Sequence, residues 1–281
     1  MENSRPLLSV KHDIIFRLFF ADERNAEDLV ALLKSILTLP DDDYNDIEIS
    51  DPHLLPDYIG DKYAVIDVKL RTKSQKIIQI EVQLKVSEAL KSRIVFYGAK
   101  LITEQMGGGD DYEKINKVIS IIITDEKLIK DSERYHHRFT FYDADADVEF
   151  TDLIEIHAVE LKKLPDITDG TPLYDWAKFI AAETEEEFEM AAQANPQVRR
   201  AVVKLRELSA DEKARDMVER REKGERDFRM FVNDAKREGE QTARFEVAQA
   251  ALELGIDMDT IIKLSGLTRE EVETLSAQQD K

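Results

Sequence analysis

The chain has 281 residues, of which 42% are hydrophobic and 35% charged, and its formal net charge is −19. This length allows one or two domains with sizeable cores, and the absence of cysteine excludes disulfide scaffolds, thiolate metal sites and cysteine nucleophiles. Residues 1–6 lack the basic-then-apolar order of a secretory signal, and no run of about 18 apolar residues predicts a membrane span, so we expect a soluble, cytoplasmic protein without a membrane partner.

Two helices are predicted before the first strand. Apolar side chains recur at helical spacing in 9–20, where Ser9 is a suitable N-cap, and again in 27–39. Pro40 ends the second helix because proline cannot continue the hydrogen-bond ladder. Residues 47–49 then predict a short strand.

A β-hairpin is predicted next. Residues 63–70 and 77–84 both alternate between apolar and polar side chains, which is the pattern of half-buried strands. The polar link 71–76 between them is short enough for a hairpin. We therefore expect one face of this hairpin to be apolar and the other polar.

The chain then alternates between helix and strand. Helical spacing predicts a helix over 87–105, which the glycine run 107–109 ends. The β-branched run 117–124 (KVISIIIT) is typical of a buried central strand, and two or three further strands are predicted within 139–160. These elements predict an α/β fold with a mixed central sheet flanked by helices.

The second half of the chain is helical and highly charged. Residues 199–254 have sparse apolar positions, which is typical of a solvated helical arm or a weak coiled coil, and 255–275 suggest a small helix-turn-helix unit. We therefore predict three segments: a core domain (1–170), a charged helical region (171–254) and a small helical tail (255–281). The charged helix is the predicted site of homo-oligomerisation.

The negative charge is unevenly distributed. A total of −19 disfavours a nucleic-acid partner, because the phosphates are repelled. However, residues 131–281 carry 14 of these 19 excess charges, whereas residues 62–100 carry nine basic and three acidic side chains. This basic island (residues 62–100) is either ordinary charge scatter on exposed elements or a surface that binds DNA.

Two acids of the basic island face each other on the predicted hairpin. With the link centred on Ser74, Asp67 lies opposite Glu81, and directly opposed side chains have Cβ atoms roughly 4.5–5.5 Å apart. Gln83 follows on the same face. Two carboxylates this close repel unless a cation lies between them, and Mg²⁺ prefers oxygen ligands. Alternatively, these side chains and Lys69 form ordinary cross-strand pairs in water.

Four stretches resemble the PD-(D/E)XK nuclease family transposases, which are also described as recombination-promoting nucleases. They are SVKHDIIFRLFF (9–20), YAVIDVKL (63–70), IIQIEVQL (77–84) and RIVFYGAKL (93–101). The resemblance covers residues 7–160, and the charged helix and final helical piece also look like tails found in this group. The short D…ExQ motif gains specificity from its order between the first helix and the Arg93-x-x-x-Tyr97 pattern.

This resemblance implies a restriction-endonuclease-like core and a Mg²⁺-dependent endodeoxyribonuclease, with Mn²⁺ or Ca²⁺ as alternative ions. Asp67 and Glu81 match the two metal-binding acids, and the catalytic set is completed by Gln83. Gln83 stands where the wider superfamily has a lysine, a departure shared by many members of this group. Lys69 or Lys85 would then supply the missing positive charge.

The resemblance also implies assisting residues around the acid pair. Asp13 matches an acid of the family's opening motif and would assist the metal, although an ordinary acid on a helix surface is the alternative. Lys91, Arg93 and Lys100 on the next helix are expected to hold the backbone of double-stranded DNA.

The sequence thus predicts an endonuclease linked to recombination or transposition of mobile DNA. The alternative is a catalytically inactive nuclease-fold protein that acts as a DNA- or protein-binding assembly module. Other chemistries find little support: the five histidines show no zinc-binding spacing, and the His136–His137 pair is expected on the surface.

Overall fold

The computed structural model of the protein describes residues 6–50, 53–54 and 64–279. The chain forms two compact units, residues 1–218 and residues 219–281. The first unit contains the β-structure, and the second is helical. The three segments predicted from sequence stay a prediction.

A mixed six-stranded sheet lies in the first unit, which confirms the predicted fold class. The strands of the chain are β1 (Glu48–Ser50), β2 (His53–Leu54), β3 (Ala64–Val65), β4 (Val68–Arg71), β5 (Ile77–Gln83), β6 (Val118–Thr124), β7 (His136–Asp143) and β8 (Val148–Glu160). The large sheet has the order β1-β4-β5-β6-β8-β7, and β2 pairs with β3 outside it. β5, β6 and β8 run parallel, and the other neighbours are antiparallel.

Helices flank this sheet and form the second unit. They are α1 (Asp13–Phe20), α2 (Ala26–Ile36), α3 (Leu90–Thr103), α4 (Pro172–Ala181), α5 (Glu185–Ala194), α6 (Pro196–Ala210), α7 (Glu212–Glu253), α8 (Met258–Ser265) and α9 (Arg269–Gln279). No helix in these described ranges is long and apolar enough to cross a bilayer.

The expected N-cap of the first helix is wrong. α1 begins at Asp13 with His12 as its N-cap residue, and the hydroxyl of Ser9 is buried without a hydrogen-bond partner in the described part of the chain. The segment before the helix turns instead through a 3.2 Å hydrogen bond from the His12 N–H to the Ser9 carbonyl. A local capping pattern was misleading because the tertiary fold buries this turn.

The hairpin register is confirmed. Val68 lies opposite Ile80 and Arg71 opposite Ile77, so the turn is centred on Ser74. The same register places position 67 opposite position 81.

The single strand predicted over 63–70 is wrong, and Tyr63 itself lies outside the described residues. β3 ends at Val65, Asp67 occupies a bend, and β4 begins at Val68. Ile66 packs in a different apolar cluster from Val68, so the bend interrupts the side-chain alternation of a regular strand.

The expected polar face of the hairpin is also wrong for β5. Ile78, Ile80 and Val82 face one apolar cluster, and the opposite face, which carries Gln79 and Glu81, is buried as well. The physical reason is the crossover α3 between the parallel strands β5 and β6. A parallel sheet is covered by helices on both faces.

The largest core cluster joins the helices of the first unit to the other face of the sheet. Phe16 and Phe20 of α1, Trp176 and Phe179 of α4 and Phe188 of α5 are all completely buried in it. Helices α4 to α6 therefore belong to the same core as the sheet. These helices lie within the predicted charged helical region (171–254), whose boundaries stay a prediction.

The packing of α3 on the sheet depends on a small residue. A Cβ atom on Gly98 would lie 3.4 Å from Ser120 Oγ and 3.6 Å from Ile154 Cγ2, so there is room for one methyl group and no more. Gly98→Leu should destabilise the protein by about 1–3 kcal/mol through overpacking. Gly98→Ala should instead be stabilising by up to about 1 kcal/mol, because alanine favours the helix.

Urea unfolding of the two variants beside the wild type measures both effects. A Gly98→Leu variant as stable as Gly98→Ala would contradict the close approach of α3 to β6.

Candidate active site at the buried acid pair

Asp67 is held at the start of β4 by the neighbouring strand. Its Oδ2 accepts a 2.7 Å hydrogen bond from the Val82 backbone N–H. Burial raises the pKa of Asp67 to about 7 against the effect of this hydrogen bond, and the charges of Glu81 and Asp13 add to the increase. An aspartate that titrates near neutrality is a buried carboxyl without a strong cationic partner.

Glu81 lies on β5 beneath α3 and is only 6% exposed. Burial raises the pKa of its carboxyl, and Arg93, whose Nη2 lies 3.4 Å from Oε2, partly offsets the increase. The pKa of Tyr97 is raised by burial and then by the Glu81 charge, which places Tyr97 in the same environment. The predicted Arg93-x-x-x-Tyr97 pattern thus flanks the second acid.

α1 contributes to the electrostatics of the first acid. Asp13 begins the helix and its carboxylate accepts a 2.8 Å hydrogen bond from the Ile14 N–H, while its charge also raises the pKa of Asp67. The positive charge of Arg17, one turn further along α1, lowers the pKa of Asp67. Sequence reasoning named Asp13 and missed Arg17, although the spacing of four residues on one helix would have indicated it.

Gln83 stands where the wider superfamily has a lysine, and Lys69 and Lys85 are the candidates for supplying its charge. The three residues lie in different environments. Gln83 is the last residue of β5 and is half-buried, and Lys85 follows it in an exposed bend. Lys69 is 13% exposed, and its Nζ lies 3.5 Å from Glu104 at the end of α3. The charge of Lys69 is therefore engaged away from the acid pair.

The predicted DNA-contacting residues on α3 are also separated by the fold. Lys91 is exposed and Arg93 is half-buried against Glu81, but Lys100 is buried, with 6% of its surface exposed. Burial of Lys100 disfavours the expected contact with a DNA backbone, which stays a prediction.

The basic island is partly neutralised by acids from elsewhere in the chain. Lys73 pairs with Asp42 at 2.9 Å and Lys76 with Asp43 at 2.8 Å. These acids lie in the turn after α2, outside the 62–100 window. The net charge counted along the sequence therefore overstates the positive charge of this surface.

The donor set at the acid pair fits a magnesium ion that keeps most of its water. Asp67 and Glu81 supply carboxylate oxygens, and Mg²⁺ is commonly held by one or two carboxylates. Among the described residues no group of three or more acidic, histidine or cysteine side chains is arranged to hold a metal. Burial is the main cause of the raised pKa of both carboxyls.

The histidine pair expected on the surface is only half-exposed at both positions, and the His137 side chain is 11% exposed. The His136 ring stacks on the buried His157 with centroids 5.1 Å apart, and His157 is hydrogen-bonded to Glu155 at 2.6 Å. Burial lowers the pKa of His136 to about 4, so it stays neutral at physiological pH. This network lies between β7 and β8 and belongs to the packing of the sheet edge.

The second unit contains the expected helix-turn-helix geometry. Asp257 caps α8 through the Thr260 N–H, and Gly266 adopts a left-handed conformation, with a φ of 68°, in the turn to α9. The first turns of α9 carry Glu270, Glu271 and Glu273, and its Arg269 is paired with Asp259. This helix therefore presents an acidic surface.

Comparison with known proteins gives two family matches. A family described as PD-(D/E)XK nuclease family transposase matches residues 10–235. A second, described as Rpn/YhgA-like nuclease family, C-terminal HTH domain, matches residues 241–277. Neither a curated protein nor a solved structure matches the chain significantly.

The raised pKa of Asp67 predicts a pH-dependent stability difference. The folded state binds this proton more tightly than the unfolded chain, which stabilises the protein at low pH and is lost as the pH rises from about 4 to about 7. Asp67→Asn cannot ionise, so its stability does not fall in this pH range, and its amide oxygen can still accept the hydrogen bond from the Val82 N–H. Without divalent cations, the variant should therefore gain roughly 2–4 kcal/mol over the wild type across that range.

Urea unfolding at several pH values between 5 and 8 measures how the difference in unfolding free energy between Asp67→Asn and the wild type changes with pH. Asp131→Asn, at an exposed aspartate, is the control. A difference between Asp67→Asn and the wild type that is independent of pH would contradict the burial of this carboxyl.

Proposed function

Because this chain belongs to the PD-(D/E)XK nuclease family transposases, we propose that it is a metal-dependent DNA endonuclease acting in recombination or transposition of mobile DNA. Its substrate would be double-stranded DNA, and its cofactor Mg²⁺, with Mn²⁺ or Ca²⁺ as alternatives. A cytoplasmic location, where both are available, fits this role.

One observation carries the proposal: Asp67, in the bend before β4, and Glu81 on β5 belong to one hairpin, burial raises the pKa of each, and the charge of Glu81 adds to the increase at Asp67. Burial of two acids costs folding free energy, which a divalent cation would offset by favouring their ionised forms. An arrangement that is costly without a cation is typical of a functional site.

Each residue at the site has a proposed task. Asp67 and Glu81 would hold the cation. Asp13, whose negative charge acts on Asp67, would assist them. The bound cation would lower the pKa of water and neutralise charge on the scissile phosphate. Gln83 would orient the water by hydrogen bonding, and Lys85, which is exposed after β5, is better placed than Lys69 to contact the phosphate.

Contacts with DNA are expected from the first unit. Lys91 is exposed on α3, and Arg93 reaches the acid pair from the same helix. The helix-turn-helix unit is a poor candidate for backbone contacts because the start of α9 is acidic. We therefore expect modest, salt-sensitive DNA affinity that depends on α3.

Cleavage of supercoiled plasmid tests the activity. Wild type with Mg²⁺ should nick or linearise the plasmid, EDTA should abolish cleavage, and Glu81→Gln should lower the rate at least about 100-fold because the cation loses a ligand. Glu88→Gln is the matched control, because Glu88 is an exposed acid within residues 62–100. This variant should cut at the wild-type rate.

Two outcomes would refute the proposal in different ways. Equal cleavage by Glu81→Gln would show that the acid pair is not the active site. If no divalent ion supports cleavage but calorimetry detects Mg²⁺ binding that requires Asp67, the inactive binding module becomes the better interpretation.

We further propose that α7 mediates homo-oligomerisation. Every residue from 223 to 244 is exposed, and Phe228 and Phe231 lie one turn apart with 66% and 71% of their surfaces exposed. This segment has six basic and five acidic side chains, so it escapes the repulsion expected for a chain of net charge −19. Exposed aromatic residues on a nearly neutral helix favour pairing with a second copy.

Sedimentation analysis of the full chain tests this pairing. Phe228→Glu with Phe231→Glu should convert a dimer to a monomer, since two charges would enter the paired surface. Arg229→Glu makes the same change in net charge on another face of α7 and should remain dimeric. A monomeric wild type at micromolar concentration would refute the pairing.

A further inference from the structure

Arg93 is the cation in contact with the second acid of the pair. Its Nη2 lies 3.4 Å from Oε2 of Glu81, and the exposed fraction of the side chain is 37% for Arg93 and 8% for Glu81. Arg93 therefore reaches from the surface of α3 to a carboxylate that solvent barely touches.

The contact between these two side chains is incomplete. Charge-assisted hydrogen bonds between guanidinium and carboxylate groups are usually 2.7–2.9 Å long and often bidentate, so a separation of 3.4 Å is long. The Nε of Arg93 is buried and has no hydrogen-bond partner among the described residues. An arginine with a buried, unsatisfied donor can still bind a second anion through its planar fork.

The contact also occupies the carboxylate that a cation would use. Arg93 lies beside Glu81 and supplies a positive charge to this carboxylate. A divalent cation on the same carboxylate would repel the guanidinium and replace its function. Lys69 cannot take over this role, because it is engaged with Glu104.

Resting on the proposed function, we propose that Arg93 is an exchangeable counter-ion of the acid pair. Arg93 neutralises Glu81 and would give way when this carboxylate holds a divalent cation. Its guanidinium would then be free to bind a phosphate of the DNA. One arginine would thus serve both states of the site, which would couple metal binding to DNA binding.

Calorimetric titration of the full chain with Mn²⁺, in the absence of DNA, tests the exchange. Arg93→Gln should bind Mn²⁺ about tenfold more tightly than the wild type, because the ion no longer competes with a charge-assisted contact. Lys91→Gln removes a positive charge from the same helix without touching Glu81, so its affinity should stay within about twofold of the wild type.

Although Arg93→Gln should bind Mn²⁺ more tightly, it should cleave plasmid more slowly. Arg93→Gln should cut at least about tenfold more slowly at saturating Mn²⁺, since a contact with the phosphate is lost. Tighter metal binding together with slower cleavage is a combination that a merely structural arginine would not produce.

The outcomes separate this inference from the proposed function. No Mn²⁺ binding by the wild type would overturn both. If the wild type binds Mn²⁺ but Arg93→Gln binds it equally or more weakly, only the exchange is overturned. Should Arg93→Gln fail to fold, Arg93→Lys keeps the charge without the fork: it should bind Mn²⁺ like the wild type and cut more slowly, and unchanged cleavage would overturn the phosphate contact.

Discussion

Burial of two opposed carboxyl groups is the constraint on which the rest of the structure depends. The β4–β5 register sets position 67 against position 81, and α3 covers the face of the sheet that carries Glu81. Ionising either group in this place costs free energy, which is why the pKa of each is raised. The surrounding polar contacts, a backbone N–H on Asp67 and Arg93 on Glu81, reduce this cost without removing it.

The fold supports this pair from both faces of the sheet. α1 places Asp13 and Arg17 within electrostatic reach of Asp67, and its apolar side packs into the large core. α3 approaches β6 closely at Gly98 and carries Arg93 and Tyr97 over Glu81. Helices on either side therefore carry three of the charged groups near the pair, Asp13, Arg17 and Arg93.

Charge is organised differently in space and along the chain. Three cations of the basic island pair with acids from outside it: Lys69 with Glu104, Lys73 with Asp42 and Lys76 with Asp43. The neutral α7 segment and the acidic start of α9 give the second unit little attraction for phosphates. The tertiary structure thus concentrates the potential DNA contacts on one helix, α3.

The sequence by itself determined the mixed α/β fold and the register of the hairpin. These follow from local periodicity and from counting residues across one turn, which need no distant contact. Only the tertiary structure decided that β5 has no solvated polar face, that Lys100 is buried and that the basic island is partly neutralised. The reason is physical: burial and ion pairing depend on which distant segments meet. The crossover helix α3 covers β5, and acids some 30 residues earlier in the chain pair with Lys73 and Lys76.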